Sequence, residues 1–156
     1  MSSYDLACFG MAVCILSGCT TSRDGDAAPQ QGDAAPTISV EQSTYAPGEN
    51  IVVAFANGPG NINDWIAIYV DGENTEGGDN DPNLKVWYYA NGTHDAGEEG
   101  ASNGRVVFDS GAENEENGVP DWPLPEGEYD IYLICCDGYD MLAGPAHFTI
   151  DSGDGS

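Results

Sequence analysis

Positively charged side chains are scarce in this sequence. Its 156 residues include 3 Lys and Arg against 27 Asp and Glu, which gives a formal net charge of −24 at pH 7. Binding to nucleic-acid phosphates or anionic lipid headgroups depends on clustered Lys and Arg. The composition therefore argues against nucleic acid and anionic lipid surfaces as partners. It suits a solvated, self-repelling surface outside the cytoplasm, a high-salt setting, or a protein that binds cations.

Helical and catalytic signatures are absent as well. No stretch combines a sustained 3.6-residue apolar period with helix-capping residues. The sequence contains no H-E-x-x-H, no P-loop and no G-x-G-x-x-G fingerprint. His94, one of two histidines, lies among acidic residues on a predicted loop, where we expect a surface residue rather than a general base. The sequence thus predicts a protein that is not an enzyme and requires no cofactor.

One apolar run, residues 6–18 (LACFGMAVCILSG), stands near the N-terminus. It is shorter than the roughly 20 residues that a membrane-spanning helix needs, and it fits the apolar region of a secretory signal peptide. The residues before it carry Asp5 and no basic side chain, which departs from the usual signal pattern. The alternative is a buried apolar helix of the folded domain.

The run ends in LSGC, residues 16–19, which resembles a bacterial lipobox. This resemblance implies removal of residues 1–18 and acylation of Cys19, and two or three acyl chains would anchor the protein stably to a membrane. A non-acidic residue after the cysteine, here Thr20, goes with sorting to the outer membrane in Gram-negative bacteria. We therefore expect an exported bacterial protein that is lipid-anchored to the outer membrane or cell surface.

Residues 19–36 are predicted to be the lipidated cysteine and a flexible linker. The segment repeats GDAAP at 25–29 and 32–36 and contains no large apolar side chain. A chain with so little to bury stays disordered, and its Pro and Asp residues keep it extended. The expected folded domain then spans residues 37–151, followed by a disordered tail over 152–156.

The domain is predicted to consist of short strands separated by Gly, Pro and Asn turns. The strand-like stretches are TISVE, NIVVAFA, DWIAIYV, LKVWYYA, GRVVFD, GEYDIYLIC and AHFTI. About seven to eight such strands favour an antiparallel β-sandwich, with a barrel as the alternative. Both faces of DWIAIYV are apolar, which predicts a central strand buried on one side and partly covered on the other. The expected core comprises Trp65, Tyr69, Trp87, Tyr89, Phe108, Tyr132, Leu133 and Phe148.

Two units give this pattern its character: Asp-Trp-Ile-Ala-Ile-Tyr at residues 64–69 and Leu-Pro-x-Gly-x-Tyr followed by Asp-Gly-Tyr between residues 124 and 139. With VWYYANGT and GRVVFD, they resemble the small immunoglobulin-like and SKICH-type sandwich modules attached to secreted bacterial hydrolases and lipoproteins. The resemblance covers roughly residues 37–151 and implies a fold and a modular role rather than a reaction. The acidic insertions at 71–83 and 109–121 and the adjacent cysteines depart from it.

The acidic insertion DGENTEGGDNDPN, residues 71–83, is the first candidate site. Carboxylate oxygens are the ligands that Ca²⁺ prefers, and the loop supplies Asp71, Glu73, Asp79 and Asp81, with Glu76 beside them. The residue order is not that of an EF-hand. A calcium site is one interpretation and a solvated acidic loop is the other. Further acidic side chains in two later loops could add loose cation binding (Asp95, Glu98, Glu99, Glu113, Glu115 and Glu116).

The adjacent cysteines Cys135 and Cys136 are the second candidate. Consecutive residues of a strand face opposite sides, which favours two free thiols. A vicinal disulfide is the alternative in an oxidising compartment. A structural zinc site needs four ligands, and the histidines have no matching spacing. The following Asp137-Gly138 is predicted to form a tight turn.

Together these features predict a non-enzymatic cell-envelope lipoprotein whose sandwich domain binds a protein, a glycan or a divalent cation. The alternative is an accessory subunit that acts in trans with a secreted phosphatase or other hydrolase. A purely structural envelope protein is a third interpretation. The membrane is an expected partner through Cys19, and Ca²⁺ is the expected ion if the acidic loops form a site.

Overall fold

The computed structural model describes residues 34–72, 81–112 and 122–153. The predicted signal peptide, Cys19, most of the linker, and the acidic residues Glu73 and Asp79 lie outside these ranges. Within them the chain forms eight strands and no helix, and so it contains no helix long and apolar enough to cross a bilayer. The strands are β1 Thr37–Val40, β2 Thr44–Tyr45, β3 Ile51–Ala56, β4 Trp65–Val70, β5 Leu84–Tyr89, β6 Gly104–Phe108, β7 Gly127–Cys135 and β8 Asp140–Ile150.

The eight strands form two sheets, so the predicted all-β sandwich is confirmed. A three-stranded sheet has the order β1-β3-β6, and a five-stranded sheet has the order β2-β8-β7-β4-β5. The neighbours are antiparallel except that β2 pairs with β8 in parallel. The expectation of a wholly antiparallel sandwich is wrong at this edge. A two-residue strand carries no alternation that a sequence pattern could reveal.

One hydrophobic core lies between the sheets. β3 and β6 contribute Ile51, Val53, Phe55, Val106 and Phe108, and the five-stranded sheet contributes Ile66, Ile68, Val86, Tyr88, Tyr129, Ile131, Leu133, Phe148 and Ile150. Alternation along each strand produces this set, because successive side chains of a strand point to opposite sides of the sheet. Apolar side chains thus come from every second position of the facing strands.

The side of the five-stranded sheet turned away from this core is also apolar, and we term it the outer face. Its buried members are Trp65, Ala67, Tyr69, Leu84, Tyr132 and Ile134, with Trp87, Tyr89 and Tyr139 partly buried against them. β4 lies between β7 and β5, so its predicted central position is confirmed. It is buried on both sides, whereas only partial cover was predicted on the second side.

The outer face corrects the predicted core. Phe108, Leu133 and Phe148 lie between the sheets as expected. Trp65, Tyr69 and Tyr132 are buried too, but on the outer face. Trp87 and Tyr89 are only partly buried, so their assignment to the core is wrong. Because β4 and β5 are apolar on both sides, their sequences alone do not tell which side meets the second sheet.

Candidate functional site

Four aromatic rings meet at one end of the outer face, and we term Trp65, Trp87, Tyr89 and Tyr139 the aromatic face. The register of β4 and β5 pairs Trp65 with Tyr89 and Ala67 with Trp87, which brings these side chains to the same side. Trp65 meets Trp87 edge-on with ring centroids 6.0 Å apart and Tyr139 at 5.9 Å. Trp87 meets Tyr89 edge-on at 5.2 Å. Edge-to-face contacts of this kind stabilise aromatic pairs beyond their burial.

Hydrogen bonds fix the aromatic face to the turn between β7 and β8. The Trp65 indole Nε1–H donates to the Gly138 carbonyl at 3.0 Å, and the Tyr89 hydroxyl donates to the Asp137 carboxylate at 3.3 Å. Burial raises the pKa of Tyr89, and the nearby Asp137 charge adds to the effect. His94 is exposed, as predicted, and its ring lies 4.7 Å from that of Trp87. The rings are therefore held in place by the fold, with carboxylate and imidazole groups at the rim.

A second support comes from the loop before β4. Asp64 is 1% exposed and accepts hydrogen bonds from the backbone N–H of Asn61 at 3.0 Å and of Cys136 at 3.3 Å. The Asp137 N–H donates to the Asn63 carbonyl. The loop and the β7–β8 turn are thus joined beside the aromatic face.

Cys135 and Cys136 form a disulfide between consecutive residues, which is the alternative to the two free thiols. Cys135 is the last residue of β7, and Cys136 leaves the strand with φ at 62°. The Gly138 N–H donates to the Cys135 carbonyl, and Asp137 has φ at 57°. Positive φ at two successive residues is typical of the central positions of a type I′ turn. The turn predicted at Asp137-Gly138 is therefore centred one residue earlier.

Of the four acidic residues predicted to form a calcium site, the structure describes Asp71 and Asp81. Asp81 is 7% exposed and accepts a hydrogen bond from the N–H of Asn83. Oδ1 of Asp71 lies 3.3 Å from Nδ1 of His147. His147 Nδ1 also contacts Oδ1 of the buried Asp130. Neither Asp130 nor His147 was singled out from the sequence, because their proximity depends on the register of β7 and β8.

Residues 100–104, GASNG, match the G-x-S-x-G pattern of hydrolase nucleophile elbows, a match that the sequence reasoning missed. Such an elbow places its serine between a strand and a helix. Here Ser102 lies at a bend directly before β6. It lines a cavity of about 420 Å³, and none of the described residues of that lining has a titratable side chain. The context of a nucleophile elbow is absent from this part of the described chain.

Comparisons with known proteins do not assign the chain to a family. No family model matches the chain, and no curated protein matches its sequence. The candidate site therefore has to be interpreted from its own geometry.

Proposed function

We propose that the domain is a non-enzymatic binding module whose aromatic face binds a neutral glycan. The observation that carries this proposal is the group of three partly exposed rings, Trp87, Tyr89 and Tyr139, packed around Trp65 on one side of a sheet. Pyranose rings present apolar C–H surfaces that stack on aromatic rings, and dispersion and loss of apolar hydration both favour such contacts.

The surroundings of the rings suit hydroxyl groups. Asp137 and Asp140 are exposed in and beside the β7–β8 turn, and carboxylates accept hydrogen bonds from hydroxyl donors. The rings project from β4, β5 and the turn, so they are positioned before a ligand arrives, which lowers the entropic cost of binding.

The charge of the molecule narrows the class of glycan. A net charge of −24 repels polyanions, which disfavours sulfated, phosphorylated and uronic-acid polymers. A neutral polysaccharide meets no such repulsion.

We further infer that the chain is an exported lipoprotein that presents an immunoglobulin-like module. Support comes from the LSGC sequence at residues 16–19, from the linker composition, and from the two-sheet architecture. A cell-surface location would give the aromatic face access to extracellular polymers.

Affinity electrophoresis of the full chain tests the proposed function. The highly acidic protein migrates fast in native gels, and a gel containing a neutral β-glucan or galactomannan should retard it. Trp87→Ala should weaken the retardation at least about tenfold in apparent affinity, as loss of a central aromatic contact does at interfaces. The matched control is Val107→Ala, because Val107 is 42% exposed on β6 of the other sheet. Equal retardation of the Trp87→Ala protein, or no retardation across neutral polysaccharides, would contradict the proposal.

A further inference from the structure

We propose that Asp71, Asp130 and His147 bind a divalent transition-metal ion, with Zn²⁺ as the reference ion. We term these three residues the triad. The inference is independent of glycan binding, because the triad shares no residue with the aromatic face.

Three strands of the five-stranded sheet bring the triad together. Asp130 of β7 and His147 of β8 are directly paired across the two strands. Asp71 follows the end of β4, where its N–H donates to the Glu128 carbonyl of β7. One donor atom from each of the three side chains lies within 4.8 Å of the other two. The ligands thus come from neighbouring strands and depend on no residue outside the described ranges.

The state of the Asp130 carboxylate points to a bound cation. The side chain is 3% exposed, and its Oδ2 accepts hydrogen bonds from the Gly72 N–H at 3.2 Å and from the Tyr132 hydroxyl at 3.4 Å. Its Oδ1 is buried and makes no hydrogen bond to the described residues. His147 Nδ1 lies against this oxygen and forms an ion pair with it when the ring is protonated. A buried carboxylate oxygen that accepts no hydrogen bond is costly, and a metal ion bound between it and His147 would satisfy it.

The hydrogen bonds to Oδ2 resemble the outer shell of a metal site. Groups that hold the second oxygen of a ligating carboxylate fix its orientation and tune its affinity for the ion. Gly72 and Tyr132 would fill this role for Asp130. The carboxylate therefore presents Oδ1 toward Asp71 and His147 in a fixed direction.

The donor set selects the class of ion. Ca²⁺ takes six to eight oxygen ligands, whereas the triad offers two carboxylates and one imidazole. Imidazole suits Zn²⁺, Cu²⁺ and Ni²⁺, and three protein ligands leave at least one coordination position for water or another ligand. Asp71 and His147 border a cleft of about 380 Å³, also lined by Ser43, Glu128 and Thr149. That cleft provides room for the additional ligand.

The competing explanation is that protonated His147 is itself the cation between the two carboxylates. Calorimetric titration of Zn²⁺ into the chelator-treated full chain separates the two explanations. The proposal predicts saturable binding of one ion at the triad. His147→Ala should weaken it at least about tenfold, since even outer-shell partners of metal ligands contribute 10–100-fold.

Controls for this titration are available in the chain. His94→Ala removes the other histidine, which lies beside Trp87, and should bind Zn²⁺ like the wild type. The His147 side chain is 66% exposed, so its loss should leave the circular dichroism spectrum unchanged. Asp130→Asn, which keeps the side-chain volume, should also weaken binding. Absence of saturable Zn²⁺ binding, or wild-type affinity in His147→Ala, would overturn the proposal and leave the glycan result with Trp87→Ala unaffected.

Discussion

At the scale of one residue, Tyr69 shows that burial on the apolar outer face lowers stability where it leaves a polar group without a hydrogen bond. It is fully buried, its ring meets that of Tyr132 edge-on, and its hydroxyl has no hydrogen-bond partner among the described residues. A buried hydroxyl without a partner costs about 1–3 kcal/mol. Tyr69→Phe keeps the ring contact and should therefore raise the free energy of unfolding by about 1 kcal/mol or more, measured by urea denaturation at pH 7. A loss of stability would show that the hydroxyl is hydrogen-bonded.

Tyr69 also makes the free energy of unfolding depend on pH. Burial raises the pKa of Tyr69, and the Asp81 charge adds to the effect. An unfolded tyrosine ionises near pH 10, while folded Tyr69 remains neutral above that pH. Its contribution to stability is thus complete below about pH 10 and falls as the pH rises further. Burial also raises the pKa values of Tyr88, Tyr89 and Tyr132, so Tyr69→Phe should reduce the alkaline loss of stability without abolishing it.

Individual site residues were predictable from the sequence only where local chemistry identifies them. Asp71 was predicted to be an oxygen ligand from its place in an acidic loop. Asp81, predicted to lie beside it, accepts a hydrogen bond from the Asn83 N–H within its own turn. Asp130 and His147 are 17 residues apart in the sequence and opposite each other in the sheet. The β7–β8 register that joins them shifts between Ile131 and Ile134, and an irregularity of this kind is not encoded in an alternating pattern.

At the scale of elements, the loop before β4 supports the site. Asp64 connects the backbone of Asn61 with that of Cys136, and its own carbonyl accepts a hydrogen bond from the N–H of Ala90 after β5. The segment that leads into β4 therefore joins three parts of the sheet at the aromatic end. It positions the aromatic face, and its side chains are used for internal contacts.

Asp64→Ala tests this role. The substitution leaves two N–H groups without their carboxylate acceptor, and hydrogen bonds to charged groups are worth about 1.5–3 kcal/mol. We expect a loss of that size in the free energy of unfolding, accompanied by weaker glycan binding. Asp64→Asn keeps one acceptor oxygen and serves as the matched variant, with a smaller loss expected. Unchanged stability of the Asp64→Ala protein would contradict the supporting role of this loop.

The strands themselves were largely predictable. Seven of the eight contain a stretch that was predicted as a strand, and β4 was recognised as central from its two apolar faces. β8 begins at Asp140, six residues before the predicted AHFTI stretch. β2 was missed because two residues show no periodicity. The division of Trp65 and Ile66 between opposite sides follows from alternation, but which side meets the second sheet is decided by packing against β3 and β6.

At the scale of the whole molecule, we expect one residue, Cys19, to set the cellular location of the protein. If Cys19 is acylated, the full chain produced in a Gram-negative bacterium should sediment with membranes and incorporate labelled fatty acid. Cys19→Ser should abolish both, since the acyl chains supply the membrane affinity. The matched control is Cys14→Ser, which alters a cysteine within the predicted signal peptide and should leave both readouts unchanged. Fatty-acid incorporation into the Cys19→Ser protein would contradict the lipoprotein assignment.

The charge of the molecule and its aromatic face together favour one class of partner. The 27 acidic residues greatly outnumber the 3 basic residues, and the resulting negative charge repels polyanions. The aromatic face, in contrast, offers an apolar, uncharged contact surface. A neutral polymer with stacking surfaces fits both properties. Metal binding at the triad would add a separate site on the same sheet.

Nuclear magnetic resonance of the tryptophan indole N–H signals tests the central claim most directly. The chain has 3 tryptophans: Trp65 and Trp87 belong to the aromatic face, whereas Trp122 packs against the core between the sheets. Titration of the full chain with soluble neutral β-glucan and mannan hexasaccharides should shift the Trp65 and Trp87 signals with one common saturation curve and leave the Trp122 signal in place. A response confined to Trp122, or no response to any of these oligosaccharides, would contradict the assignment of the aromatic face as a glycan-binding surface.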